Sequence, residues 1–136
     1  RGVITEAPHI FREDVCERAI REVTKIYRTG DLRQRLQKHH AENVDCAFWG
    51  WADTWLQADF GRWNLEEYLA SIHVPLLVIQ GEEDEYGMAA VDVIPRQAGA
   101  GAEVVMLPKC GHAPHRDQAD VTLTAMAGFI HKILNS

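Results

Sequence analysis

Hydrophobic positions change rhythm several times along the 136 residues, and each change marks an element. Gly2–Ala7, with Val3 and Ile4 at its start, reads as a short strand left through the turn Ala7-Pro8-His9. From Glu13 the rhythm is helical: Val15, Ala19, Ile20, Val23, Ile26 and Tyr27 recur on one face of a 3.6-residue period. Gly30 suits the position just past that helix and Asp31 the cap of a second, in which Leu32 and Leu36 lead to His39 and His40. Phe48–Trp63 is aromatic-rich and holds every tryptophan of the chain. Asn64-Leu65-Glu66-Glu67 has the form of a capping box, with Asn64 as cap and Glu67 answering it, ahead of a short helix to about Ala70.

The period then shortens. Val74–Gln80 is a continuous apolar run between turn residues, as a strand buried on both faces requires. Met88–Ala98 reads as a helix that Pro95 should kink or shorten. Gly99 and Gly101 form the following loop, and Glu103–Leu107 is the next strand. Asp117–Leu134 is a last helix with Leu123, Met126, Ala127, Ile130, Ile133 and Leu134 on one face. Strand–helix–strand with about a dozen helical residues between implies a parallel pair with a right-handed crossover. The fold class expected is therefore α/β, with about three parallel strands and flanking helices. Residues 1–12 supply the first core strand and turn, 13–70 a helical insertion, and 71–136 the rest of the core.

Composition narrows the function classes. A net charge of −6 argues against a nucleic-acid partner, which would want a basic face. No apolar run approaches the ~20 residues of a membrane span, and no signal peptide is evident. Three widely spaced cysteines do not make a disulfide framework, so a reducing, cytoplasmic setting is expected. Arg1-Gly2 runs straight into Val3-Ile4, as if the chain were entered part-way through a strand, which suggests a truncated product.

The candidate chemistry lies behind the two later strands. One ends in Gly81-Glu82-Glu83-Asp84 and the other leads to Gly111-His112, so an acid and a histidine stand at strand carboxyl ends, where α/β sheets gather their ligands. A carboxylate beside a histidine fixes its tautomer and stabilises the imidazolium that forms in catalysis. Glycine before each residue permits the tight turns that aim them. Glu83 is an alternative acid. Cys110, His112 and His115, completed by His9 or Asp117, have zinc-ligand chemistry, but their spacing fits no established pattern, so neither metal nor cofactor is expected. Cys110 lies on the same loop as His112, which makes it a poor nucleophile for that base.

The segments PLLVIQGEEDEYG and EVVMLPKCGHAPHRDQ resemble the penultimate strand with its acid and the last strand with its histidine loop in the α/β-hydrolase family. VITEAPHIF resembles the strand before that family's lid, and Glu13–Ala70 the lid itself. The resemblance implies Asp84 as orienting acid and His112 as general base. It implies hydrolysis of a carboxylic ester or related acyl small molecule in the complete parent. Members with an aspartate nucleophile keep dehalogenase or epoxide chemistry open. Trp49, Trp51, Trp55 and His9 are candidate substrate-binding residues, although the tryptophans serve equally well to glue lid helices together. The family's G-x-S-x-G nucleophile elbow is absent, since serine occurs only at Ser71 and Ser136. The chain alone is therefore expected to be inactive. An open sheet edge at the first strand and exposed lid aromatics suggest a homo-oligomer or a complementary N-terminal half as partner. The alternative is a non-catalytic module serving binding or oligomeric assembly.

Overall fold

The structure, a computed structural model, describes residues 1–135; Ser136 lies outside the described residues. The chain forms two compact units. A sheet unit takes Arg1–Phe11 and the chain from Asn64 onward, and a helical unit takes Arg12–Trp63.

The sheet unit has strands β1 (Val3–Glu6), β2 (Leu76–Gly81) and β3 (Glu103–Leu107) in spatial order β1-β2-β3, both pairs parallel. This is the α/β architecture expected from the run pattern. Ile4 stands opposite Leu77, and Val78 opposite Val104. Every residue of β2 is buried, because it lies between two strands and is covered on both faces. Alternate side chains of a strand point to opposite faces. Leu76 and Val78 accordingly join Ile10, Leu69 and Ile94 in one core cluster, while Leu77 and Ile79 join Leu107, Cys110 and Phe129 in another. Each such buried aliphatic side chain contributes roughly 1.5–3 kcal/mol relative to exposure.

Short helices complete this unit: α4 (Glu66–Leu69), α5 (Ala89–Gln97), α6 (Pro114–Asp117) and α7 (Ala119–Leu134). Between β1 and α4 lies the helical unit, whose helices are α1 (Asp14–Thr29), α2 (Leu32–His40) and α3 (Val44–Leu56). Pro95 lies within α5, which stops two residues later at Gln97, the shortening its missing N–H predicts. Inside the helical unit, Tyr27 stacks on Phe48 with ring centroids 3.6 Å apart and joins α1 to α3. Asp45 ties all three helices together. It accepts from the Tyr27 hydroxyl at 2.7 Å and from the Arg33 fork at 2.9 and 2.6 Å.

Five local expectations need correction. The last helix breaks at Gln118, whose φ of −139° and ψ of 53° are not helical, so α6 precedes it as a separate turn. The buried stripe of α7 runs through Thr122, Ala125, Met126, Phe129 and Ile133; Leu123, Ile130 and Leu134 are exposed. Phe129, left out of the expected face, is the anchor that sets the rotation. On α1, Ile26 is half exposed, and Cys16 takes a buried place beside Ile20 and Tyr27. The capping box does not form. Asn64 Oδ1 accepts from the Glu66 N–H at 2.7 Å and its amide donates to Glu66 Oε2 at 2.7 Å, an Asx turn closed two residues on, not three. Asp31 likewise stands at the start of α2 without a side-chain cap bond; its backbone is already near helical, at φ −92° and ψ −1°, which leaves the carboxylate badly placed to cap.

Candidate active site

β2 ends at Gly81, and β3 hands over to the loop Pro108–Ala113. The two ends are pressed together at Gly81. A Cβ built there would stand 2.2 Å from the carbonyl oxygens of both Cys110 and Gly111. Neither Gly81 nor Gly111 has positive φ. Glycine is needed at 81 because the histidine loop lies against its Cα, not for the turn freedom that the sequence suggests. The same loop is tied to the acid turn by the Glu83 N–H, which donates to Cys110 O at 2.9 Å. Asp117 Oδ2 accepts the Gly111 N–H at 2.9 Å, and Gln118 donates to Pro108 O at 3.1 Å.

This clamp brings Asp84 and His112 into contact. The imidazole Nδ1 is 2.9 Å from Asp84 Oδ2 and 3.1 Å from Oδ1. A carboxylate can only accept, so Nδ1 carries the proton and Nε2 is the nitrogen left to work elsewhere. Asp84 is 8% exposed. Burial pushes its carboxyl up, but donors outweigh burial and hold it below the usual carboxylate range: His112, the Tyr86 N–H at 2.9 Å and the Gln80 amide at 2.7 Å. Glu83, the alternative acid, is exposed. The His112 ring has two ring neighbours, Tyr86 at 4.7 Å and His9 at 5.5 Å between centroids.

Cys110 is buried, and burial together with the nearby carboxylates of Asp117, Asp84, Glu6 and Glu83 pushes its thiol up, which keeps it protonated and unreactive. Among the described residues no group of three or more His, Cys, Asp and Glu is arranged to hold a metal ion. His115, considered as a ligand, instead faces Glu6. Trp49, Trp51 and Trp55 belong to the helical unit. Trp49 and Trp51 pack edge-on to Phe48, and Trp55 packs with Phe60 and Trp63. His9 lies in the sheet unit, where it lines an apolar recess of about 270 Å³ with Val3, Ile10, Leu65 and Tyr68.

Sequence reasoning missed Gln80, Tyr86 and Glu6. Gln80 had a signal: it is the one long polar side chain closing an apolar run, four residues before the acid. Tyr86 follows Asp84 by two, the spacing of an Asx turn.

No family model and no curated protein matches the chain. Solved structures do. NosK from Streptomyces actuosus is 21% identical with a TM-score of 0.70, covering 96% of this chain and 58% of that one. A thermophilic esterase from Thermogutta terrifontis is 17% identical at TM-score 0.60, with coverages of 97% and 56%. A meta-cleavage product hydrolase from Pseudomonas fluorescens is 15% identical at TM-score 0.63, with coverages of 96% and 55%. The chain spans less than three-fifths of the length of each of these structures. The parallel sheet with its flanking helices is thus a partial α/β-hydrolase fold, of the kind seen in hydrolases. Among the described residues no helix is long and apolar enough to cross a membrane.

Proposed function

We propose that this chain supplies the acid and base of a hydrolase that cleaves a carboxylic ester or related acyl small molecule. The carrying observation is the His112 Nδ1 contact with the buried Asp84 carboxylate, made where the carboxyl ends of adjacent parallel strands meet. In this reading His112 Nε2 takes the proton of a nucleophile as it attacks the acyl carbon. Asp84 stabilises the imidazolium so formed, and the proton then passes to the leaving group. These residues contain no nucleophile elbow, so the nucleophile comes from polypeptide outside the sequence described, and the chain by itself is inactive. His9, which lines the apolar recess of the sheet unit, is proposed to meet the apolar part of the substrate.

The test is a p-nitrophenyl ester assay of the chain alone and after co-refolding with the polypeptide encoded immediately upstream. Turnover is expected only in the mixture, and should vanish in both Asp84→Ala and His112→Ala. A mixture without turnover, or turnover that survives both substitutions, overturns the reading.

A specific observation favours a second reading, that of an assembly module. β1 is an edge strand beside the apolar recess at His9, and α7 exposes Leu123, Ile130 and Leu134. Unpaired edges and apolar stripes invite association, either with a second copy or with a complementary N-terminal half. Sedimentation decides it: a well-folded monomer at micromolar concentration counts against assembly.

A further inference from the structure

We propose that Glu6 is a positioning residue for His112, acting through a clamp on the segment that carries the imidazole. The inference rests on the reading of His112 as the base.

Upstream the loop is pinned to β2 through Cys110 and Gly81. Downstream it runs through Ala113 into Pro114, which has no N–H to give. His115 is therefore the first backbone donor there beyond His112 and Ala113. Its N–H donates to Glu6 Oε2 at 3.0 Å, and its ring Nδ1 meets the same oxygen at 2.9 Å. Glu6 is the last residue of β1, opposite Ile79 of β2. β1 and β3 lie on opposite sides of β2. One carboxylate thus reaches from the far edge strand to the segment that follows β3, and bridges the carboxyl end of the sheet.

The consequence is that all three strand ends fix one imidazole. β2 supplies Asp84, β3 supplies the loop, and β1 supplies the strap that stops the loop lifting. The strap does not need a charged ring. Against a carboxylate that only accepts, neutral His115 keeps its proton on Nδ1, and both donors remain. Its function follows from how sharply proton transfer depends on placement: a base held about 1 Å out of position loses much of its effect.

Nuclear magnetic resonance on the full chain tests this without any turnover, so failure of the ester assay and failure of the clamp are read separately. Glu6→Ala should raise amide exchange at His115 by about tenfold or more, the change that 1.4 kcal/mol produces. It should also broaden the low-field Nδ1 proton of His112 against Asp84. Glu6→Gln keeps an acceptor oxygen and should restore most of the protection. His115→Ala deletes only the ring bond, from an exposed residue, and should move the same His112 signal in the same direction. A His112 signal and loop exchange that stay at their wild-type values in Glu6→Ala overturn the proposal. If Glu6→Ala does not fold, Glu6→Asp, one methylene too short to reach His115, takes its place, and wild-type exchange at residue 115 with an unmoved His112 signal in that variant overturns the proposal.

Discussion

An alanine at Gly81 measures how tightly the acid strand and the histidine loop are pressed together. Its Cβ would meet Cys110 O and Gly111 O at 2.2 Å and Cys110 C at 2.6 Å, whereas ordinary contact begins near 3.4 Å. These are backbone atoms, so no side-chain rotation relieves the overlap. Moving from 2.2 to 3.4 Å requires the loop to retreat by about 1.2 Å. His112 rides on that loop. A contact now at 2.9 Å would open to about 4 Å, beyond hydrogen-bond range. Overpacking costs about 1–3 kcal/mol and a lost bond to a charged group about 1.5–3 kcal/mol, so a destabilisation of roughly 2.5–6 kcal/mol is expected. Gly111→Ala is the matched control. There the added carbon meets only Asp117 Oδ2 at 3.3 Å, an atom on a side chain that can give way. Its effect should stay within about 1 kcal/mol. Urea unfolding of the two variants gives the difference, and the His112 Nδ1 proton reports the contact. Equal midpoints, or an intact His112 signal in Gly81→Ala, would refute the close-approach argument.

Three further substitutions probe other polar groups. Gln80→Met keeps the volume of the buried side chain but removes a donor from Asp84, so the Asp84 carboxyl should titrate higher than in wild type by carbon-detected resonance; an unmoved titration would show that the 2.7 Å bond has no electrostatic effect. The Arg33 fork and the Tyr27 hydroxyl hold Asp45 at about 2. Its folded value is depressed, so the stabilisation is complete above the unfolded value near 3.9 and drains away as pH falls toward 2. Asp45→Asn should flatten that part of the acid unfolding curve, and a curve of unchanged shape contradicts the assignment. Thr122 is fully buried, and among the described residues its hydroxyl has no hydrogen-bond partner. Replacing it with isosteric valine should therefore raise stability by about 1 kcal/mol in a thermal melt, against the usual sign for a core substitution.

What the sequence disclosed depended on how local the determining physics was. β2 was legible because burial on both faces demands an unbroken apolar run, and its later residues Gln80 and Gly81 lie where that run ends. The Asp84–His112 contact was legible from order and spacing, since one helix and one strand consume the 28 residues between them. The rotation of α7 was not. Two apolar stripes compete on that helix, and only the place of Phe129 against Leu77 and Ile79 decides between them. The reason for Gly81 was hidden for the same cause. A glycine fixed by a backbone lying 29 residues away in sequence looks identical, in one dimension, to a glycine fixed by its own turn. Glu6 was invisible because its partner is 109 residues downstream.

Within the sheet unit the left-handed non-glycine residues lie at one end of the sheet. Ala7 leaves β1 at φ 44° and Lys109 leaves β3 at φ 53°, the left-handed region that costs a non-glycine residue about 1 kcal/mol or more. At the same end Gln80 Oε1 is buried without a partner among the described residues, a further cost of about 1–3 kcal/mol. The opposite ends of the strands carry no comparable strain: the positive φ there is at Gly101, which bears no Cβ. A chain selected for stability alone has easy remedies, glycine at 7 and 109 and an apolar residue at 80. Each of these positions is, or adjoins in sequence, a residue bonded to the acid turn or to the segment that carries the histidine. Ala7 follows Glu6, Lys109 precedes Cys110, and Gln80 holds Asp84. The left-handed residues 7 and 109 and the Gln80 side chain thus flank the segments that bring Asp84 and His112 together, while the buried Thr122 hydroxyl on α7 shows that such costs also occur elsewhere in the core.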